Sequence, residues 1–314
     1  MNNNFIISEL KITEINSICE LFQLVFSTPI HPEQWVWKYQ NGPRLGSLNM
    51  VAHDFSGKLV GHVGASVFAG VYDKKPIAMV QICDVMVDKN SRNAYSLNSI
   101  YPSLMKAVQA ELNRRFELLF VYGFVGIRPF NLGNRLGFYR QIRPYQYQIF
   151  DINSSKGYRD ILLRVESSDW DLDLVRLDTV WKRRLNEQQR PILSRTSDYM
   201  LWRYKTNPVN TYKLWIVNDL FFDTGWFVTR EMPNGEICII DSLIPENVYL
   251  NRYLNALRVA INKIYKNNPA ITGWIGLDNN EATSNSNISI EIRITDWWPQ
   301  LKDPIFQPGD TDVY

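Results

Sequence analysis

One apolar segment with an embedded aspartate occurs twice in this chain of 314 residues, and an internal repeat constrains a whole architecture. The segment reads ICDVMVDKN at residues 82–90 and IIDSLIPEN at residues 239–247. An aromatic and basic segment precedes each copy, with WVWKYQNGP at residues 35–43 and LWRYKTNP at residues 201–208. Matching segments in the same order indicate a duplicated domain. We therefore expect an N-terminal domain over residues 1–150, a polar bridging segment over 151–170 and a C-terminal domain over 171–314.

The length and charge of the chain narrow the classes of protein to which it can belong. A chain of 314 residues fits two domains of roughly 150 residues each. The net charge of +2 argues against a nucleic-acid partner and an anionic membrane surface. No apolar run is long enough for a membrane span, and the N-terminus lacks the features of a signal peptide. These observations predict a cytoplasmic protein, for which a homodimer is compatible with the sequence.

The few cysteines and histidines predict neither a disulfide framework nor a metal site. The three cysteines are dispersed, and no pair has the spacing of a zinc site. The three histidines have no ligand-like spacing either. We expect no metal cofactor.

The order of predicted elements favours an α/β fold with a mixed sheet in each half. The spacing of apolar residues predicts a helix over Thr13–Phe26, with Thr13 as its N-cap. Residues 77–87 form a nearly continuous apolar run, which is typical of a central strand buried on both faces. A helix over 101–115 and a strand over 118–124 follow, and a strand over 145–150 is expected to close the first sheet. The two strands that flank the helix must be parallel because the helix crosses between them.

Two motifs in the first half resemble those of the GNAT acyltransferase superfamily. The string VDKNSRNAYSL after the central strand is similar to the family's Gln/Arg-x-x-Gly-x-Gly/Ala loop, with Val87 at the strand end and Arg92 at the first loop position. The string NLGNRLGF, from Asn131 to Phe138, resembles the family's segment near the end of its domain. The duplication resembles the tandem branch of the superfamily. The resemblance implies two tandem GNAT-like domains, each a mixed sheet flanked by helices.

The resemblance also implies a cofactor, either acetyl-CoA or another acyl-CoA. In the family, backbone N–H groups at a helix N-terminus bind the coenzyme A pyrophosphate, and glycines allow the close approach. Tyr95 and Leu97 stand at the two glycine positions here. The corresponding loop of the second half has neither glycine nor the family arginine, so we expect that half to lack a cofactor site. The cofactor-binding residues implied for the first half are Met86, Val87, Arg92, Asn93, Ala94, Tyr95, Ser96, Leu97 and Asn131.

Catalysis in this superfamily uses a base for the acceptor amine and a tyrosine acid for the leaving thiolate. Asp84 lies on the strand that would carry the base, where partial burial is expected to raise its pKa. The alternative is a structural ion pair or a strand-bulge hydrogen bond, which its recurrence as Asp241 favours. The family's tyrosine position falls on Gly133, so Tyr139 is the candidate acid, with Tyr122 as an alternative.

The repeated aromatic segment has two interpretations as well. In GNAT folds this region forms the acceptor pocket, so Trp37 and Tyr39 are candidate substrate-binding residues. The alternative is a buried clamp that fixes a helix against the sheet, and the retention of the segment in both halves favours it.

Two hypotheses about function follow. The first is an N-acyltransferase, most simply an N-acetyltransferase, acting on an amine of a small molecule, an amino sugar or a peptide. The second is a catalytically inactive tandem GNAT-fold protein with a binding or assembly role.

Overall fold

The chain forms two compact units, each built around its own sheet. The computed structural model describes residues 5–92, 98–117, 119–140, 147–150, 163–186, 189–245, 250–274, 293–294 and 304–311. The first unit comprises Met1–Gly70, Pro76–Arg143 and Arg293–Leu301. The second unit comprises Val71–Lys75, Pro144–Ile292 and Lys302–Tyr314.

The sheet of the first unit is mixed, as the element order predicts. Its neighbouring strands run antiparallel from the first to the third. The fourth and fifth run parallel, with Ala78 opposite Leu119, because a helix crosses between them. In sheet order the strands are β1 (Phe5–Glu9), β2 (Arg44–Asp54), β3 (Leu59–Tyr72), β4 (Lys75–Val87) and β5 (Leu119–Tyr122), and the short β6 (Phe124–Val125) follows along the chain.

Helices of the first unit supply the cover for this sheet. They are α1 (Ile15–Phe26), α2 (Pro32–Tyr39), α3 (Ile100–Arg115) and α4 (Ile127–Arg135). The predicted amphipathic helix is α1, and it buries Ile18 and Leu21.

The prediction of Thr13 as the N-cap of α1 is wrong. A 3-10 turn over Ile12–Glu14 precedes α1 and contains Thr13. The Glu14 carboxylate accepts a hydrogen bond of 2.7 Å from the Lys11 backbone N–H, which starts the turn before the threonine.

The second unit repeats the strand order of the first. In its sheet, neighbouring strands are antiparallel from the first to the fourth, and the fourth and fifth strands are parallel. Residues 164–168, expected in the bridging segment, form the first strand of this sheet. In sheet order the strands are β8 (Arg164–Ser168), β10 (Lys213–Asn218), β11 (Asp223–Glu231), β12 (Ile237–Leu243), β13 (Ile271–Gly273) and β7 (Gln148–Ile149), and β9 (Ile192–Leu193) is not a strand of this sheet.

The helices of the second unit lie between these strands along the chain. They are α5 (Leu174–Leu185), the short α6 (Ser197–Met200), which continues as a π-helical turn over Leu201–Lys205, and α7 (Leu250–Ile264). The repeated WRY segment lies in that π-helical turn, whereas WKY ends the α-helix α2.

The strand expected to close the first sheet belongs to the second sheet instead. β7 pairs antiparallel with β13, and the Phe150 backbone N–H donates to the Ile271 carbonyl at 2.9 Å. In the first unit, β14 (Arg293–Ile294) pairs with β6. Alternating apolar and polar residues predict that a segment is a strand, but they do not predict which sheet it joins. Here the burial of Phe150 in the core of the second unit decides the sheet.

Apolar side chains cover both faces of the first sheet. One cluster packs Leu104, Met105 and Val108 of α3 against the strands, and another holds Trp35 and Tyr39 of α2. In the second unit, the buried face of α7 packs against β10, β11 and β12. Each unit therefore has a hydrophobic core of its own, which is what an independently packed domain requires.

Candidate active site

Asp84 is a nearly buried carboxylate held in an unusual backbone conformation near the end of β4. Its φ of 48° places it in the left-handed region, which non-glycine residues rarely occupy. Such a conformation costs about 1–3 kcal/mol and persists only where the surroundings enforce it. The side chain is 9% exposed, and its Oδ2 lies 2.7 Å from the Lys38 Nζ and 2.7 Å from the Tyr39 hydroxyl.

The last turn of α2 delivers Lys38 and Tyr39 to this carboxylate. Pro32 occupies the first helical position, and the His31 backbone N–H donates to the Gln34 side chain at 2.8 Å, so the helix starts at a fixed residue. At the other end, the Arg44 guanidinium donates to the Lys38 and Trp37 carbonyls, which would otherwise lack helical partners.

A glycine in β3 makes room for the Tyr39 hydroxyl. A Cβ added at Gly64 would lie 2.2 Å from that oxygen, so a larger residue is incompatible with this position of Tyr39. The Tyr39 ring also packs against Trp35 at 4.5 Å between ring centroids. Tyr39 thus fixes the helix against the sheet and reaches Asp84 in the same arrangement.

His62 holds the backbone of the strained residue. Its Nδ1 lies 2.7 Å from the Asp84 carbonyl oxygen, which can only accept, so Nδ1 carries the proton. Its Nε2 lies 3.1 Å from the side-chain amide of Asn49. Burial lowers the pKa of His62 from 6.5 to about 4, although the Asp84 carboxylate acts in the opposite direction. The imidazole is therefore neutral at pH 7.

The expectation of a raised pKa for Asp84 is wrong. Burial alone would raise this pKa, but the Lys38 ammonium and the hydrogen bonds from Lys38 and Tyr39 outweigh burial and lower it. Asp84 is consequently ionised at neutral pH and forms the ion pair described by the alternative interpretation.

Asp241 occupies the equivalent place in the second unit, on the fourth strand of the same sheet order. It lies beside a register shift between β11 and β12, and its side chain is fully buried. The Tyr204 hydroxyl donates to Asp241 Oδ2, as Tyr39 does to Asp84. Its cation is Arg195, whose Nε lies 2.8 Å from the same oxygen. The Tyr–Asp pair thus recurs in both units, while the cation comes from different elements.

A buried segment near residue 310 lies against the charged groups around Asp241. Residues 304–311 are all buried, and the Arg195 Nη2 donates at 2.6 Å to Asp310 in this segment. Arg203, the basic residue of the repeated segment, donates to the carbonyls of Gly309 and Thr311. Burial raises the pKa of Asp310 even though Arg195 opposes that effect. The second unit is therefore closed around its buried charges.

The implied cofactor-binding residues are only partly within the described chain. Met86 is buried among α1 and α2 side chains, and Val87 is half-buried. Arg92 is exposed, and its Nε donates at 3.0 Å to the Val87 carbonyl. Asn131 is an exposed residue of α4. Outside the described residues lie Asn93, Ala94, Tyr95, Ser96 and Leu97.

Tyr139 lies in the core of the first unit. It is 5% exposed, and a Cβ at Gly133 would lie 2.1 Å from its ring, so that glycine accommodates the tyrosine. Burial raises its pKa, and the hydroxyl keeps its proton at neutral pH. Trp37 is half-buried, in contrast to Trp35, which is 1% exposed. The structure thus brings Asp84 and Tyr39 into contact, while it places Tyr139 in a separate apolar cluster.

Several polar residues of these two sites were not predicted from the sequence as site residues, among them His62, Lys38, Arg195 and Asp310. Lys38 had a signal, because it lies within the repeated segment. The other three lie far along the chain from the aspartates that they serve, and no spacing rule connects them. Within the described residues no group of three or more His, Cys, Asp and Glu side chains could hold a metal ion. None of the described helices has the length and apolarity to cross a membrane.

Sequence comparison leaves the chain without a match. No protein-family model matches it. No curated protein matches it either.

Solved structures of the same fold do match, at low sequence identity. One is a conserved protein of Enterococcus faecalis V583 described as a probable N-acyltransferase, with a TM-score of 0.67 and 12% identity over 93% of this chain and 70% of that one. A GCN5-related N-acetyltransferase from Anabaena variabilis ATCC 29413 has a TM-score of 0.64 and 10% identity over 93% and 71%. Another from Kribbella flavida has a TM-score of 0.63 and 10% identity over 92% and 70%. The chain has two mixed sheets flanked by helices and is similar in structure to these proteins. It therefore has the fold of the GCN5-related N-acetyltransferases.

Proposed function

We propose that this chain is an acyl-CoA-dependent N-acyltransferase, with acetyl-CoA as the donor and an amine of a small molecule, an amino sugar or a peptide as the acceptor. The observation that carries the proposal is Asp84. It is an ionised carboxylate in a strained backbone conformation at the end of a central strand, held by a lysine, a tyrosine and a neutral histidine. Strained backbone and partly buried charge are concentrated at functional sites.

The surroundings of α3 fit the diphosphate of coenzyme A. The N-cap residue Ser99 makes no side-chain hydrogen bond to the first turn, which leaves the positive end of the helix for an anion. A Cβ at Gly61 would lie 2.5 Å from Ile100, so this glycine lets the helix start close to β3. Arg92 adds an exposed guanidinium near the end of β4. In the proposal Asn93–Leu97 complete the loop.

The residues of the first unit then have distinct roles. When bound, acyl-CoA supplies a thioester carbonyl carbon for attack. Asp84 accepts the proton of the acceptor amine, and Tyr39 orients the carboxylate through its hydrogen bond. Tyr139, the acid expected from the sequence, is buried in a separate apolar cluster, so the proposal gives it no contact with the thiolate. Trp37 and Tyr39 border the proposed acceptor site.

One observation favours the second candidate function, a catalytically inactive binding or assembly protein. Asp84 and Asp241 are each paired with a cation and a tyrosine of their own unit, which is the arrangement expected of structural ion pairs. Buried pairs of this kind are retained in some proteins for specificity of folding.

Calorimetric titration with acetyl-CoA distinguishes the two candidates. The enzyme hypothesis expects micromolar binding that Arg92→Ala weakens by at least about tenfold, since a charge-assisted contact to a phosphate is worth about 1.5–3 kcal/mol. Arg114→Ala is the matched control, because Arg114 is 69% exposed and pairs with Glu111 on the outer face of α3. Absence of binding at millimolar acetyl-CoA would reject the enzyme hypothesis and leave the second candidate.

A further inference from the structure

The Lys38 amine lies beside Asp84, in the place that an acceptor amine would have to occupy for Asp84 to deprotonate it. Its Nζ lies 2.7 Å from the carboxylate, and the side chain is 15% exposed, so the pair is sheltered but reachable. The nucleophilic atom of the lysine and the residue proposed to deprotonate the acceptor are thus in direct contact.

The second unit shows what a purely structural version of this arrangement is like. There the cation on the equivalent carboxylate is Arg195, which is 1% exposed and also paired with the buried Asp310. A guanidinium stays charged in proteins and is a poor nucleophile, whereas a lysine amine becomes nucleophilic once it loses a proton. The two units therefore differ at this position in the property that matters for acyl transfer.

We propose that Lys38 is an internal acyl acceptor, so that the first unit acylates its own lysine; the inference rests on the function proposed above. Asp84 takes one proton from the Lys38 ammonium, and the nitrogen attacks the thioester carbonyl carbon. The carbon–nitrogen bond forms, the carbon–sulfur bond breaks, and the thiolate leaves as a thiol with the second proton from nitrogen. The proton on Asp84 passes to water. The product is a neutral amide at residue 38.

The ion pair holds Asp84 ionised, so the first of these steps is uphill, and the shelter of the pair limits its cost. Transfer of a proton within an ion pair neutralises both partners together, so neither charge is left unpaired where solvation is poor. Tyr39 keeps its hydrogen bond to the carboxyl group throughout. Acylation then removes the cation of Asp84, and an external amine can take its place beside the carboxylate.

The chain contains a matched control for Lys38. Lys58 lies 2.8 Å from the carboxylate of Asp88, an almost identical distance, but its side chain is 59% exposed. Acylation without catalysis follows exposure and therefore favours Lys58 over Lys38. Acylation catalysed by Asp84 favours Lys38 over Lys58.

The experiment maps acylated lysines by mass spectrometry over time with two donors. One donor is acetyl-CoA, and the other is S-acetyl-N-acetylcysteamine, which has the thioester but no nucleotide. We expect both donors to label Lys38 at least about tenfold faster than Lys58, which is less than the roughly 10²–10⁴-fold that a positioned base contributes because Lys58 is the more exposed amine. Asp84→Asn should slow labelling of Lys38 by a similar factor, Asp88→Asn should leave it unchanged, and Lys38→Arg should abolish it.

Each outcome separates this inference from the proposed function. Labelling of Lys38 no faster than that of Lys58 with either donor overturns the inference, even if calorimetry shows that acetyl-CoA binds. A Lys38 rate that Asp84→Asn does not change overturns it too, and if that variant fails to fold, the comparison of Lys38 with Lys58 in the unaltered protein decides. Preferential labelling by the short thioester, without binding of acetyl-CoA, supports the acceptor role of Lys38 and rejects the proposed cofactor.

Discussion

Acid should destabilise the first unit through His62, because this buried imidazole is neutral in the folded state and protonates readily in the unfolded chain. A pKa lowered from 6.5 to about 4 means that the unfolded state binds more protons as the pH falls through this interval. The stability from the neutral imidazole is present above pH 6.5 and is lost as the pH falls toward 4. At 1.36 kcal/mol per pKa unit, the complete loss is about 3 kcal/mol, of which about 2 kcal/mol occurs between pH 7 and pH 5.

The comparison that isolates this effect is between the unaltered protein and His62→Gln. Glutamine can donate to the Asp84 carbonyl but does not titrate in this range, so the difference in stability between the two proteins should shrink with falling pH. The measurement is the free energy of opening from amide hydrogen exchange of β3 and β4, corrected for the intrinsic rate at each pH. Lys38 and Asp84 are the charged groups that face His62, and both are retained in the variant.

The second unit provides an internal control in the same samples. Amides of β11 and β12 belong to a different core, so their response to pH should be the same in both proteins. Parallel pH profiles for β3 and β4 in the two proteins would refute the assignment of a depressed pKa to His62. A larger loss of stability in His62→Gln than in the unaltered protein between pH 7 and 5 would refute it as well.

Three further changes test the packing around the two aspartates. Gly64→Ala should displace Tyr39 and destabilise the first unit by about 1–3 kcal/mol in urea denaturation, the usual cost of overpacking. Arg195→Met should cost the second unit about 3–5 kcal/mol by calorimetry, because it leaves Asp241 without its cation. Deletion of residues 305–314 should cost about 3–6 kcal/mol, since two large apolar side chains that are at most 2% exposed lose their burial at about 1.5–3 kcal/mol each.

Controls for these three changes come from neighbouring positions. Gly46→Ala tests a glycine of β2 whose added Cβ would come no nearer than 3.8 Å to another side chain. Arg114→Met removes an exposed arginine and should change stability by less than about 1 kcal/mol. Deletion of residues 312–314 alone should retain the stability provided by Ile305 and Phe306. If any control matched its test variant, the explanation given for that test variant would be wrong.

The pattern of apolar residues along the chain predicted the central strands of both sheets. The long apolar run of β4, the helix α3 and the following strand predicted a parallel crossover, and β4 and β5 pair in that way. Such a strand is predictable because burial on both faces requires a nearly continuous run of apolar residues in the local sequence. The recurrence of Asp84 as Asp241 also placed the two carboxylates on equivalent strands, since a repeat preserves register.

Tertiary structure alone decided what those carboxylates contact and how the sheets end. The pKa of Asp84 is lowered and not raised because Lys38 arrives from a helix 46 residues earlier in the chain. Asp241 pairs with Arg195 and, through it, with Asp310 near the end of the chain. Electrostatic pairing depends on distance in space, which local patterns do not record. For the same reason, the sequence predicted the strand β7 but did not predict that it pairs with β13.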